Sequence, residues 1–407
     1  MGRPRIGIIG GGAAGFFGAI TASESNAEVT LLEKTGKLLS KVKVSGGGRC
    51  NVTHSCFYNN LLVKNYPRGF KELKKAFELF SVKNTIDWYK KRGVELKTEA
   101  DGRMFPITDN SQTIINCLTS EAINHKVKII TGEAVTSITK KEDLFFVTTS
   151  TNNIFTFDKV LVATGGNPKE DAYNWLKELG HTIIPPIPSL FTFNITGAKL
   201  EGLQGISVPL ATVRIAGSKT SQSGPVLITH WGLSGPAILK LSAWEARNLH
   251  TLNYSFTIMV NWVTEYTEDS MREKLTQLKK EYSKKIIYAN PCFNLPRRFW
   301  ERLVTLAELT ETIRWADLPS KNLNKLLEEL IRCSLIVSGK TTFKEEFVTC
   351  GGVNLKEVDF TTMESKICPG LYFAGETLDI DAVTGGFNFQ AAWTTGYIAG
   401  KSMTTIS

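Results

Sequence analysis

Gly10, Gly12 and Gly15 follow directly on the apolar run Arg5 to Ile9 and open a helical pattern from Phe16 to Ser23. Glycine at these three positions permits a tight turn, lets the backbone approach a pyrophosphate and brings the helix close to the strand. The first turn of a helix also offers unpaired N–H groups to an anion. Ala13 and Ala14 complete this contact stretch. A second strand pattern, Glu28 to Leu32, ends at Glu33, 18 residues past Gly15, where a carboxylate accepts hydrogen bonds from a ribose, and Lys34 follows it. A bare strand-to-helix turn also uses glycine but does not need this acid at this distance, so the context selects dinucleotide binding.

Three later segments have the same look of backbone that approaches a ligand. They are Ser45-Gly46-Gly47-Gly48 to Asn51, Thr164-Gly165-Gly166 at the end of the buried-strand pattern Lys159 to Ala163, and Gly375 to Gln390. No second GxGxxG exists, so one dinucleotide is permanently housed and any other binds without a fingerprint. So much contact surface suits a tightly held FAD better than a mobile nicotinamide cofactor. Glu376, at a strand end beside Gly375, is placed to meet ribityl hydroxyls. Gly386-Phe387-Asn388-Phe389-Gln390 starts a helix whose positive end stabilises charge at flavin N1 and O2. The competing reading makes both segments plain strand–turn–helix joints.

Few side chains offer proton or charge chemistry. Arg49 is a fixed cation that favours an anionic reduced flavin or holds an acidic substrate, unless it is spent on a loop salt bridge. His230, one of five histidines, lies in Thr229-His230-Trp231-Gly232 just before a helix start, and it is the candidate general acid/base. The alternative bonds its imidazole within its own loop. Arg103 is a weaker candidate for a substrate carboxylate. Cys50 and Cys56 have five residues between them, one more than the pair of flavin disulfide reductases, so a free buried thiol at Cys50 is expected.

The elements that must position these residues form a βαβ opening, followed by a basic helical stretch from Gly69 to Arg92 with Phe70, Leu73, Phe77 and Phe80 at helical spacing. Val127 to Ile130, Ala134 to Ile138, Leu144 to Thr148 and Ile154 to Phe157 read as strands of a small sheet. Pro185-Pro186-Ile187-Pro188 marks a domain boundary. Beyond it come strands, then amphipathic helices from Glu268 to Glu329, then strands again past Lys340 and a last helix near Asn388.

With 407 residues the chain is large enough for two or three domains and needs no disulfide staple. Its 42% hydrophobic and 21% charged content excludes a mainly disordered or fibrous protein. Seven irregularly spaced cysteines without a CxxC pair point away from a zinc site, and no metal is expected. No apolar run reaches membrane-spanning length, no signal peptide is visible, and Met1-Gly2 lacks the rest of a myristoylation pattern, so a cytoplasmic protein is expected. A net charge of +9 favours anionic partners without choosing among them. Phe57 to Arg103 carries 11 Lys/Arg against 6 Asp/Glu, which is either a solvated helix face or a nucleic-acid surface.

Five segments together resemble a family of bacterial NAD(P)/FAD-dependent oxidoreductase flavoproteins, some of them called aminoacetone oxidase family FAD-binding enzymes. These are Ile6 to Gly15; Lys41 with Ser45 to Thr53; Asp101 to Pro106; Thr229 to Ala237; and Leu371 to Gln390, in family order along nearly the whole chain. The resemblance implies an α/β fold: a Rossmann-like, glutathione-reductase-type FAD-binding domain interrupted by a β-rich insertion with a helical subdomain. The expected divisions are 1–188, the first part of the FAD domain; 189–265, the β-rich insertion; 266–338, the helical subdomain; and 339–407, the return through the insertion's edge. The resemblance makes Lys41, Ser45, Gly46, Gly47, Arg49, Cys50 and Asn51 cofactor contacts, with the backbone of Val135 over the adenine. One departure is Ala382, where relatives often carry glycine. The implied activity is hydride transfer between a small organic substrate and FAD, recycled by oxygen, NAD(P)H or another acceptor. A basic flavoprotein that binds nucleic acid is the alternative, and the oligomeric state is left open.

Overall fold

The computed structural model describes residues 3–341 and 348–405. Met1-Gly2 and part of the returning segment, 342–347, lie outside the described residues. The described chain divides into two compact units, one made of residues up to Ser189 and from Val348 onward, the other running from Leu190 to Thr341.

The first unit is built on parallel strands β1 (Arg5–Ile9), β2 (Glu28–Glu33), β3 (Lys128–Thr131), β4 (Lys159–Val162) and β5 (Leu371–Phe373), in the spatial order β3-β2-β1-β4-β5. Two short antiparallel strands, Glu364–Ser365 and Val358–Asp359, extend the β5 edge. Ile8 pairs with Leu31 on one side and Leu161 on the other, and all three are fully buried. Such near-continuous apolar strands are what a parallel sheet covered on both faces requires. Three helices concern the site: α1 (Ala13–Glu24), α2 (Phe70–Leu79) and α3 (Phe387–Thr404). α1 and α3 pack closely because Gly396 and Gly400 carry no side chain; a first carbon at either would lie 2.5 Å from a carbonyl oxygen of α1. Phe16 and Phe17 are fully buried, each worth roughly 1.5–3 kcal/mol.

Several expectations shift. Helix α1 begins at Ala13 rather than Phe16, so the glycine turn is shorter. The basic stretch is two helices, α2 and Val82–Lys90, broken where Ser81 caps the second with Asn84. Lys128–Thr131 joins the main sheet beside β2, leaving Val135–Lys141, Leu144–Thr149 and Ile154–Phe157 as the small antiparallel sheet. The proline cluster lies inside a strand, Ile183–Ser189, paired with Val348–Val353. Pro185 and Pro186 are tolerated because the register shifts between Ile184 and Ile187, at a bulge that asks for no ladder donor.

The second unit is a closed barrel of six strands, in the order Thr192–Thr196, Gly232–Ser234, Ser221–Ile228, Ser207–Ile215, Ser255–Asn261 and Cys333–Thr341. The strand pattern expected past Lys340 therefore starts at Cys333. Helices Glu268–Glu281, Arg297–Leu306 and Ser320–Ile331 share one apolar core with the barrel through Trp262, Trp300, Trp315 and Leu330.

Candidate functional site

In a sheet ordered β3-β2-β1-β4-β5 the chain's winding reverses between β1 and β4, and a ligand crevice opens beyond their carboxyl ends. Gly10 and Thr164-Gly165-Gly166 stand there. Gly10 has φ +114°, and a first side-chain carbon on it would lie 2.4 Å from Ala163 O. Gly15 packs on the turn, its missing carbon 1.9 Å from Gly10 O. Gly12 differs: at φ −94° any residue fits the backbone, and a first side-chain carbon there would meet no protein atom within 4 Å. Gly12 therefore borders open space. Helix α1 starts on it with no side-chain cap and no acid in its first turn, so its positive end is left for an anion.

The remaining segments wall this crevice. Glu33 Oε2 accepts from Gly11 N at 2.8 Å and its Oε1 from Thr35 N at 2.9 Å, which fixes the carboxylate beside the glycine turn. Lys34 next to it is exposed. Leu39 N donates to Gly11 O at 2.8 Å, bringing Ser40–Gly48 alongside. Inside that segment Ser45, Gly46 and Gly47 leave helical geometry, and Gly47 and Gly48 are exposed, with no atom within 4 Å of where a first side-chain carbon would stand. Lys41 Nζ donates to Glu376 Oε2 at 2.6 Å, and Thr164 Oγ1 lies 3.2 Å from Thr377 Oγ1. Asn51, its amide oriented to satisfy both neighbours, accepts from Gly386 N and donates to Thr53 O, each at 3.0 Å. Glu133 N donates to Glu33 O at 3.0 Å, which sets Val135, at the start of its strand, near the same edge. Thus Gly10 to Gly15, Glu33, Lys41 to Asn51, Thr164 to Gly166, Gly375-Glu376 and Gly386-Phe387 meet in one place.

The residues present fit a dinucleotide: open space at Gly12, Gly47 and Gly165, an uncapped helix end, and carboxylates at Glu33 and Glu376 for hydroxyl groups. Some expected contacts are committed elsewhere. Gln390 is fully buried, its oxygen accepting from Thr53 Oγ1 at 2.6 Å and its nitrogen donating to Thr394 Oγ1 at 3.0 Å, so its side chain holds protein. Asn388 clamps the backbone of Ala382 from both sides, at 2.9 and 3.2 Å. Phe389 stacks on Trp393, and Phe387 O accepts from Tyr66 Oη at 2.7 Å. These three belong to the frame that holds the start of α3. Cys50 is fully buried, and burial pushes its thiol up to about 12, so only its backbone is left for a ligand. Arg49 donates to Glu99 Oε1 at 2.5 Å, lies 3.5 Å from Asp109 and stacks on Phe105, an ion-paired cation rather than a free one.

His230 is in the second unit, exposed on the turn between Ser221–Ile228 and Gly232–Ser234. Thr229 Oγ1 ties that turn by accepting from Gly232 N at 3.1 Å. Among the described residues no hydrogen bond holds the imidazole within its own loop.

Sequence reasoning missed a cluster under the loop that leads into α3. Arg68 and Ser189 both donate to the fully buried Asp381, Ser189 Oγ at 2.6 Å, and burial pushes that carboxyl up while the guanidinium opposes the shift. His54 stacks on Phe387 at 4.7 Å, with Nε2 3.1 Å from Asp101 O. Nothing in the sequence marked Arg68, Asp381 or His54.

A nucleotide-binding Rossmann sheet with this crevice defines a class, and the chain is an FAD-dependent oxidoreductase of that class. Residues 4–402 match the family described as HI0933-like protein Rossmann domain, and the chain belongs to it. A 3-dehydro-bile acid delta(4,6)-reductase from Clostridium scindens is 28% identical, with 98% of each chain covered. A ribosomal RNA dihydrouridine synthase from Escherichia coli is 27% identical, with 97% of each covered. The fold is similar to that of a 3-ketosteroid-delta4-(5alpha)-dehydrogenase from Rhodococcus jostii, with TM-score 0.52 and 12% identity over 99% of this chain and 97% of that one. Among the described residues no helix is long and apolar enough to cross a membrane.

Proposed function

We propose that the protein is a reductase of a carbon–carbon double bond conjugated to a carbonyl in a ring. The observation that carries this reading is the end-to-end likeness to relatives named for two such reactions, one on a 3-dehydro-bile acid and one on uridine. FAD, when bound, would supply the two-electron, hydride-donating chemistry that such a reduction needs. The chain's own residues hold the dinucleotide at Gly12 and the α1 terminus, fix the ribityl side through Glu376 and Lys41, and present the positive end of α3 at Gly386. His230 is the proposed donor of the proton that completes reduction at the α-carbon, and exposure supports its exchange with solvent. Arg49, already paired with Glu99, orients Gly46 through its Nε more readily than it binds a free anion. NAD(P)H is the proposed electron source.

Anaerobic reduction of the FAD-loaded protein by NADH and NADPH tests this reading, followed by reoxidation with a 3-oxo-Δ4 steroid, a uridine-containing RNA, enoates, amines and hydroxy acids. Reoxidation by a conjugated carbonyl compound with saturation of its double bond supports the reading. Reoxidation by oxygen alone after reduction by an amine or a hydroxy acid makes the protein an oxidase and overturns it.

A further inference from the structure

The flavin crevice does not account for the basic stretch around α2. Lys71, Lys74 and Lys75 are all exposed on that helix, and a cleft opens on each side of it. One, of about 440 Å³, is lined by Lys71, Lys75, Lys356 and Lys366 against Glu72 and Asp359. The other, of about 920 Å³, is lined by Lys74 and Lys83 against Glu78, together with Phe57 and Tyr58. Among the described residues, Lys71, Lys74, Lys75, Lys83, Lys356 and Lys366 form no ion pair with a carboxylate. Lys97, Lys177, Lys199 and Lys325 elsewhere each hold one. Asp359, kept ionised by Thr361 N at 2.8 Å and Thr361 Oγ1 at 2.7 Å, and Glu72 offset part of this charge, so the first cleft keeps four lysines against two acids. Lysines therefore outnumber acids in both clefts, four to two and two to one, on the two sides of one helix.

The second cleft adds aromatic rings. Phe57 is 55% and Tyr58 75% exposed, large apolar faces that a folded chain has no internal reason to leave in water. Lysines that track a backbone beside rings that accept a flat base are the two components of single-strand recognition. The position also connects to the site within the same unit. A first carbon on Gly69, at the start of α2, would lie 2.7 Å from Ile380 and 3.5 Å from Leu355, so a wall of the first cleft and the loop leading into α3 meet there.

We propose that the two clefts flanking α2 form a docking surface for single-stranded nucleic acid, with phosphates on Lys71, Lys75, Lys356 and Lys366 and a base against Tyr58. The proposal does not depend on which double bond is reduced, since binding is measured without turnover. The test is fluorescence anisotropy of the FAD-loaded protein with labelled RNA and DNA of the same sequence, about 20 nucleotides long, across a salt series. Each neutralised phosphate contributes about 0.7 to the log–log salt slope for a single strand. Replacing the four lysines (Lys71→Gln, Lys75→Gln, Lys356→Gln, Lys366→Gln) is expected to weaken binding at least tenfold and flatten the slope by about 3, with FAD content and circular dichroism unchanged. Tyr58→Ala is expected to weaken binding about tenfold with the slope retained. Tighter binding of RNA than DNA, or the reverse, names the strand. Equal affinity of the quadruple variant and the parent overturns the proposal, as does binding to vesicles with 30% phosphatidylserine by a protein that ignores both oligonucleotides.

Discussion

Lys41 and Glu376 stand 335 positions apart in the chain, yet Lys41 Nζ donates to Glu376 Oε2 at 2.6 Å. The bond ties the segment after β2 to the 3-10 turn that follows β5, across the crevice both residues line. Half of the Lys41 side chain is exposed, so the pair contributes little to folding by itself. In the proposed site it would hold a carboxylate where hydroxyl groups of the dinucleotide arrive. Glu376→Gln is expected to weaken FAD binding about tenfold, the worth of one charge-assisted hydrogen bond, while the protein stays folded. Titration of flavin fluorescence measures it, and unchanged affinity removes Glu376 from the site.

Cys50 and Cys56 are both free, and burial raises both thiols, Cys50 to about 12. The sign is unambiguous: between pH 6 and 10, Cys50 stays protonated and unreactive. No long-wavelength thiolate-to-flavin band is expected on two-electron reduction over that range. Loss of such a band in Cys56→Ser would mean that the cysteines work as a redox pair.

His181 is buried with Nδ1 3.1 Å from Glu357 Oε2 and Nε2 3.1 Å from Ser365 Oγ. Burial lowers its pKa from the usual 6.5, and Glu357 opposes the shift without reversing it. A histidine depressed in the fold binds fewer protons than in the unfolded chain, so its contribution is complete above about pH 6.5 and is lost as pH falls below it. Urea midpoints at pH 7.5 and 5.5 with saturating FAD should drop on acidification, and the drop should be smaller in His181→Asn. An equal drop in both proteins assigns the acid sensitivity to other groups.

How far the sequence anticipated this site depended on how local each signal was. Gly10, Gly12 and Gly15, Thr164 to Gly166, and Gly385-Gly386 each announce a turn within a few residues, and the fold brings them together. Ion pairs between distant residues leave no such mark: Arg68 and Asp381 lie 313 positions apart, and nothing near Arg68 sets it apart from the lysines of α2. Gln390 and Asn388 resemble ligand contacts by position at a helix start, but both side chains turn inward to Thr53 and Ala382, because buried backbone and hydroxyl groups there need partners. The Ile183–Ser189 strand was hidden by prolines that only a bulge could accommodate.

His230 is expected to act as proton donor, so His230→Ala should keep full FAD content and melting temperature yet lose two to four orders of magnitude in turnover, roughly the value of one general acid. Stopped-flow reoxidation by the substrate that the panel identifies measures the loss. Turnover within twofold of the parent would return His230 to an ordinary exposed turn.

The open space beside Gly12 at the start of α1 is the proposed place of a dinucleotide's pyrophosphate. Gly12→Val is the test, because the first carbon of the added side chain meets no protein atom within 4 Å and a φ of −94° suits any residue. The expected variant has the parent's circular dichroism, purifies colourless and fails to take up added FAD, beside a parent carrying FAD in near-equal molar amount. A yellow Gly12→Val protein with the parent's FAD affinity would contradict it.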